Sequence, residues 1–164
     1  MYKRQQLVRK DGEWSASNSD GGGFILACRH IGVEPRGSIL RIRGGGSTAR
    51  SIAYSWSKEG GQIIPVRGRR ALPGGPWDVS FVDDSLEAHL SLDLDVEAGG
   101  GGSFPLPAGR QISISYDEDW KIDDFAVIMV AAQHLEAWKK LFSPDKIDQL
   151  PSLIELLELL DERY

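Results

Sequence analysis

Arg67, Arg69 and Arg70 crowd three guanidinium groups into four positions of a stretch rich in glycine and proline. Such a cluster suits an anionic ligand, because each phosphate it neutralises releases counterions. Arg41 and Arg43 stand two apart on a segment with strand character, so they share one face and extend the basic set. Arg41, Arg43, Arg67, Arg69 and Arg70 are therefore the candidate ligand-binding residues. Trp77 is the nearest aromatic, too little for base stacking, so no specific nucleic-acid partner is expected. A solvated basic loop is the plainer reading of residues 67–70.

Gly44-Gly45-Gly46-Ser47-Thr48, flanked by Arg43 and Arg50, invites comparison with a phosphate loop. A Walker loop needs Gly-Lys-Ser/Thr at the opening of a helix. Here there is no lysine, and residues 50–57 alternate, with Ile52, Tyr54 and Trp56 on one strand face. A hairpin turn is expected, leaving weak anion binding by exposed glycine amides as its residual chemistry.

The other reactive residue types give weaker patterns. Cys28 and His30 would share a face of a straight strand, which admits a thiolate–imidazole pair. A small buried cysteine is the simpler expectation. With His89 and His134 they form no CxxC, HxxxH or HExxH spacing. Asp93, Asp95 and Glu97 read as the wet face of a strand. Asp117, Glu118, Asp119, Asp123 and Asp124 read as an acidic link into a helix, favourable at its positive end. Neither group has EF-hand spacing. No catalytic residue, metal site or cofactor is assigned. Trp56, Tyr54 and Phe81 read as core before they read as the lining of an apolar cavity.

The 164 residues suit one domain. The lone cysteine allows no internal disulfide and suits a reducing compartment; a cytoplasmic location is expected. No apolar run reaches the roughly 18 residues of a membrane span. Charge is lopsided: residues 1–70 hold 13 Lys and Arg against 5 Asp and Glu, and the rest hold 6 against 19. Either the halves neutralise each other, or the first presents a basic face to an anionic surface.

Most of the chain before residue 117 reads as short strands cut by glycine. Residues 6–17 form a strand bent at Asp11-Gly12. Gly21-Gly22-Gly23 breaks the chain before a buried strand over 24–33. Strands follow over 38–43, 50–57, 62–66, 77–82, 86–96 and 110–116. Pro65 places 62–66 at a sheet edge. Leu90, Leu92, Leu94 and Val96 alternate with polar residues, which gives one wet face. The period then changes to three and four over 122–142, which predicts a helix. Pro151-Ser152 starts a last helix. Residues 125–132 are eight consecutive apolar residues, and a helix apolar all round must be buried all round.

The expected fold class is α+β: an antiparallel β-barrel or strongly curved sheet encloses the hydrophobic helix, and a second C-terminal helix follows. Residues 1–5 resemble a translated sequencing scar. Residues 6–142 form the barrel-like domain, and 143–164 a helical extension. The extension's stripe of Leu150, Leu153, Ile154, Leu157 and Leu160 offers an oligomer contact.

The strand Gln111-Ile112-Ser113-Ile114-Ser115-Tyr116, the acidic link and the oily helix together resemble the closing unit of tubby-like domains, in the LURP-one-related and phospholipid-scramblase branch. That resemblance implies a barrel threaded by the helix, and association with membranes, lipids or protein partners. It implies no common catalytic residues. A non-catalytic binding or scaffold domain, meeting an anionic membrane surface or a protein partner, is the expected function. The alternative is a small-molecule-binding barrel or helix-grip protein, with enzymes included in that class.

Overall fold

The computed structural model describes residues 5–10, 12–95, 110–112, 121–142 and 144–162. Val96, Glu97 and residues 99–102, 113–120, 143 and 164, to which the sequence reading assigned roles, lie outside them.

The chain opens with a hairpin of β1 (Gln5–Lys10) and β2 (Glu13–Asn18), paired antiparallel. Gly12 turns it with φ +86, a conformation glycine adopts at no steric cost. Helix α1 (Asp20–His30) follows, then β3 (Ile39–Arg43), α2 (Ser47–Lys58) and β4 (Gln62–Val66). A long connection with a 3-10 turn at Asp78–Ser80 leads to β5 (Leu90–Asp93). After β6 (Arg110–Ile112) come α3 (Phe125–Leu141), a short α4 (Pro144–Ile147) and α5 (Leu153–Asp161).

β4, β3, β5 and β6 lie side by side in that order, all parallel. This corrects the expected antiparallel barrel. The sheet is open, and its strands are joined through crossovers rather than hairpins. Pro65 does sit on an outer strand, β4, of the sheet that the described residues form. Leu40, Ile42, Ile63, Leu90 and Leu92 point from one face into a core shared with α1, α2, α3 and α5. Ile39, Ile64 and Ala88 pack together on the other face. Ser91 is fully buried, so β5 lacks the wet face its alternation suggests; a central parallel strand is covered on both sides.

Two expected strands are helices, for separate reasons. In α2, Ile52 and Trp56 fit alternation, but Ala49, Ile52, Ala53 and Trp56 also recur at helical spacing. Those four are buried and Tyr54 is exposed, so the helical period is the real one. In α1 the glycine triplet forms the first turn instead of breaking the chain. A Cβ on Gly21 would collide with the Ser51 carbonyl and Ser55 Oγ of α2. One on Gly23 would come within 2.8 Å of the Gln133 backbone of α3. The missing side chains let α1 lie close against both neighbours. Phe24 completes the join, its ring 6.0 Å from Trp56 and 5.8 Å from Phe125.

Ala126, Ile128, Met129, Ala131 and Ala132 are buried and Phe125, Val127 and Val130 half-buried, so the octet is largely covered but not enclosed on every side. Its cover is α1 and α5, not a barrel wall. Ser152 caps α5 by accepting the Glu155 N–H at 3.2 Å, and the Glu155 carboxylate accepts the Ser152 N–H at 2.7 Å. Leu153 and Leu157 of the proposed oligomer stripe are buried in the core, while Ile154 is exposed.

Gly21→Ala and Gly23→Ala should each destabilise the protein by about 1–3 kcal/mol through overpacking, despite alanine's better helix propensity. Gly22→Ala, which meets only the end of the Glu136 side chain, should cost less than either. Urea unfolding followed by circular dichroism tests this. A stabilised Gly21→Ala variant would refute the close packing.

Candidate functional site

The sheet reverses its strand order at β3. The chain goes from β3 outward to β4, then returns to β5 on β3's other side. In open parallel sheets the crevice beyond the strand C-termini at such a point is the usual ligand site. Three sets of residues meet there.

The first is the glycine turn. β3 ends at Arg43, Gly44 takes φ +115, and α2 begins at Ser47 with Gly46 as its N-cap. No side chain caps α2 and its first turn holds no acid, so its leading N–H groups and positive dipole end suit an anion. A Cβ on Gly45 would overlap the Ala71 carbonyl, while one on Gly46 would meet open space. The expected hairpin turn is thus a strand-to-helix turn, and only the anion-binding part of that reading fits its geometry.

The second set is the arginine loop after β4. The Gly44 N–H donates to the Val66 carbonyl at 3.4 Å, so residues 67–71 start beside the glycine turn. Asp95, just past β5, accepts the Arg69 backbone N–H at 2.5 Å and its Nε–H at 3.0 Å. Arg43 pairs with Asp93 at 3.0 Å and stands 3.9 Å from Asp95. Among the described residues Arg67 and Arg70 make no ion pair.

The third set was missed in the sequence. Asp20, almost fully buried at the start of α1, accepts from Thr48 Oγ1 at 3.1 Å, from Asn18 Nδ2 at 3.3 Å and from Gln133 Nε2 at 3.3 Å. Ser51 Oγ accepts the Gly21 N–H at 3.0 Å. The signal is present: Asn18-Ser19-Asp20 is a helix-start pattern, hidden because the glycines after it read as a break.

Of the five candidate arginines, Arg43, Arg67, Arg69 and Arg70 gather at this crevice. Arg41 does not. It donates through Nη2 to the Asp84 and Leu86 carbonyls, and its buried Nε has no hydrogen-bond partner among the described residues. Cys28 and His30 sit on a helix, where residues two apart diverge. Burial pushes the Cys28 thiol up, away from a reactive thiolate, and His30 is exposed. His89 Nδ1 accepts the Ile39 N–H at 3.1 Å. Among the described residues no three of His, Cys, Asp or Glu are arranged for a metal, and no helix is long and apolar enough to cross a membrane. Trp56 is fully buried, whereas Tyr54 and Phe81 are exposed, so the three line no common wall.

No family model matches the chain. It is 32% identical over 119 residues to a shikimate dehydrogenase (NADP(+)) of Rubrobacter xylanophilus, covering 64% of this chain and 42% of that one. A protein of the same name from Xanthomonas euvesicatoria pv. vesicatoria is 29% identical over 142 residues, covering 76% and 50%. Another, from Methanothrix thermoacetophila, reaches 49% over 56 residues, covering 31% of this chain and 21% of that one. The chain thus spans about half or less of the length of these relatives. Among solved structures, shikimate dehydrogenase 1 from Peptoclostridium difficile superposes with a TM-score of 0.59 at 11% identity, covering 94% of this chain and 66% of that one. A chorismate mutase/shikimate 5-dehydrogenase fusion protein from Clostridium acetobutylicum gives 0.59 at 16%, covering 96% and 66%.

These similarities point to a shikimate dehydrogenase-like, Rossmann-type domain. They overturn the tubby-like and scramblase-like resemblance, which rested on a strand–link–helix pattern that a parallel α/β sheet also produces. The non-catalytic membrane or scaffold reading falls with it, and the small-molecule-binding alternative, with its enzymes, agrees better.

The Arg69 backbone N–H, and then its guanidinium, hold the Asp95 carboxyl below the usual carboxylate range; burial opposes this and the charge of Arg43 adds to it. A carboxyl with a depressed folded value stabilises fully above its unfolded value of about 4, and loses that contribution as pH falls through the folded value. Asp95→Asn should therefore flatten the acid limb of the stability curve below about pH 4. Urea titrations at fixed ionic strength read this out, and an unaltered limb would show that Asp95 gains nothing from its partners.

Proposed function

We propose that this chain supplies the NADP⁺-binding part of a shikimate dehydrogenase-like enzyme, with a cofactor that the sequence alone did not assign. One observation carries the reading: the uncapped start of α2 opens from Gly44-Gly45-Gly46 at the strand-order reversal, with an arginine loop beside it. A dinucleotide's pyrophosphate suits the free N–H groups of such a turn, and an arginine past the second strand suits the 2′-phosphate of NADP⁺. Arg67, Arg69 and Arg70 occupy that position after β4. The name shared by the relatives supports the same cofactor.

NADP⁺, when bound, supplies the hydride acceptor. The alcohol that yields the hydride must also lose its hydroxyl proton to a nearby group. Asp20 is our choice for that acceptor. Its carboxylate is shielded from bulk water and tied through Thr48 to the helix that begins at the glycine turn. Asn18 and Gln133 hold the carboxylate and offer amides to substrate hydroxyls.

Fluorescence titration should give a Kd for NADPH at least about tenfold below that for NADH, since a phosphate–arginine contact is charge-assisted. Arg67→Ala with Arg70→Ala should erase most of that difference. Equal affinity for the two nucleotides in the unmutated chain would sink the assignment. In NADP⁺-dependent oxidation of shikimate, Asp20→Asn should lower turnover by about 10²-fold or more with NADP⁺ affinity within about twofold, as loss of a proton acceptor requires. Undiminished turnover would remove Asp20 from the mechanism.

A further inference from the structure

Arg69 is held differently from the arginines beside it. Asp95 takes both its backbone N–H and its guanidinium. The Asp95 side chain is 9% exposed, against 66% for that of Arg69. Gly68 lies so close that a Cβ there would come within 2.5 Å of Asp95 Oδ2. Asp95 is itself fixed, because its N–H donates to Asp93 Oδ1 at 2.9 Å and Asp93 pairs with Arg43. A continuous set of contacts therefore runs from the end of β5, past the end of β3, to the loop that follows β4.

The charges in this set are matched. Asp93 and Asp95 face Arg43 and Arg69, which among the described residues leaves Arg67 and Arg70 as surplus positive charge on a loop whose course is already fixed. A loop ordered before binding does not lose that freedom when the ligand arrives, so its contacts count more fully toward affinity.

We propose that Asp95 is a positioning residue that sets the preference for a 2′-phosphorylated nucleotide, by pinning Gly68 and Arg69 so that the arginine loop is preformed. This rests on the nucleotide-binding reading above. Asp95 touches no nucleotide in this scheme. It acts through the loop, so it governs the ratio of the two affinities rather than dinucleotide binding in general.

The test uses the full chain, with NADPH and NADH titrated by fluorescence at one ionic strength and with thermal melts run in parallel. Asp95→Ala should weaken NADPH about tenfold while NADH stays within about twofold, the size expected when a charge-assisted contact loses its ordered loop. Asp95→Asn keeps an acceptor for the Arg69 N–H and should fall between Asp95→Ala and the unmutated chain. An unchanged ratio in Asp95→Ala overturns the proposal. So does tighter NADPH binding, which would mean that the carboxylate competes with the phosphate for Arg69. A parallel loss of both nucleotides with a lowered Tm overturns it too, since that is a general folding role. Failure of the unmutated chain to bind NADPH more tightly than NADH would remove the underlying reading, and this proposal with it.

Discussion

The close approach of α1 to α2 and α3 is the contact on which the rest of the structure depends. It exists because Gly21 and Gly23 present bare backbone where any side chain would strike Ser51, Ser55 or Gln133. Helix axes brought this near let short polar groups reach across. Asp20 thereby meets Thr48 and Gln133, which are distant in sequence. The same approach seats Phe24 between Trp56 and Phe125, so one contact organises both the apolar core and the buried polar cluster. Unpaired, a buried carboxylate would be costly; here both of its oxygens have donors.

The second organising constraint is electrostatic and lies at the C-terminal edge of the sheet. Parallel strands bring their ends to one side, so Arg43, Asp93 and the arginine loop must share a small region. Arg43 and Arg69 are balanced by Asp93 and Asp95, which removes most of their mutual repulsion. Among the described residues, what stays unbalanced is the pair Arg67 and Arg70 and the uncapped start of α2. Positive potential is thus concentrated where the glycine turn leaves backbone N–H groups free. The lopsided charge along the sequence is consistent with this arrangement, because Arg43 at the end of β3 and Arg69 in the loop after β4 lie beside Asp93 and Asp95 at the end of β5.

Several local features could be read from residue order. A turn near Gly12, a strand over 38–43 with Leu40 and Ile42 on one face, the outer position of Pro65, a helix over 122–142 and a helix start at Pro151-Ser152 follow from short-range rules, and the elements at β3, α3 and α5 lie within a few residues of those bounds. Two helices were misread where such rules conflict. Ile52 and Trp56 satisfy both a period of two and a period of 3.6, and only the burial of Ala49 and Ala53 decides between them. Gly21-Gly22-Gly23 is a poor helix by propensity, yet it is helical because its value lies in what it allows to approach. The arginines of the site were legible as a basic set. Their partnership with the glycine turn was not, and Asp20 went unnoticed.

By itself the sequence determined which segments are apolar enough to be buried, where charge accumulates, and that residues 125–132 must be shielded from water. Those properties belong to single residues and their near neighbours. Only the tertiary structure decided that the strands run parallel, that the glycine triplet at 44–46 opens a helix, and that Asp95 reaches Arg69 across the end of β3. Those outcomes depend on contacts between residues 20 or more positions apart, and hydrophobic periodicity carries no information about which distant segment will supply the partner.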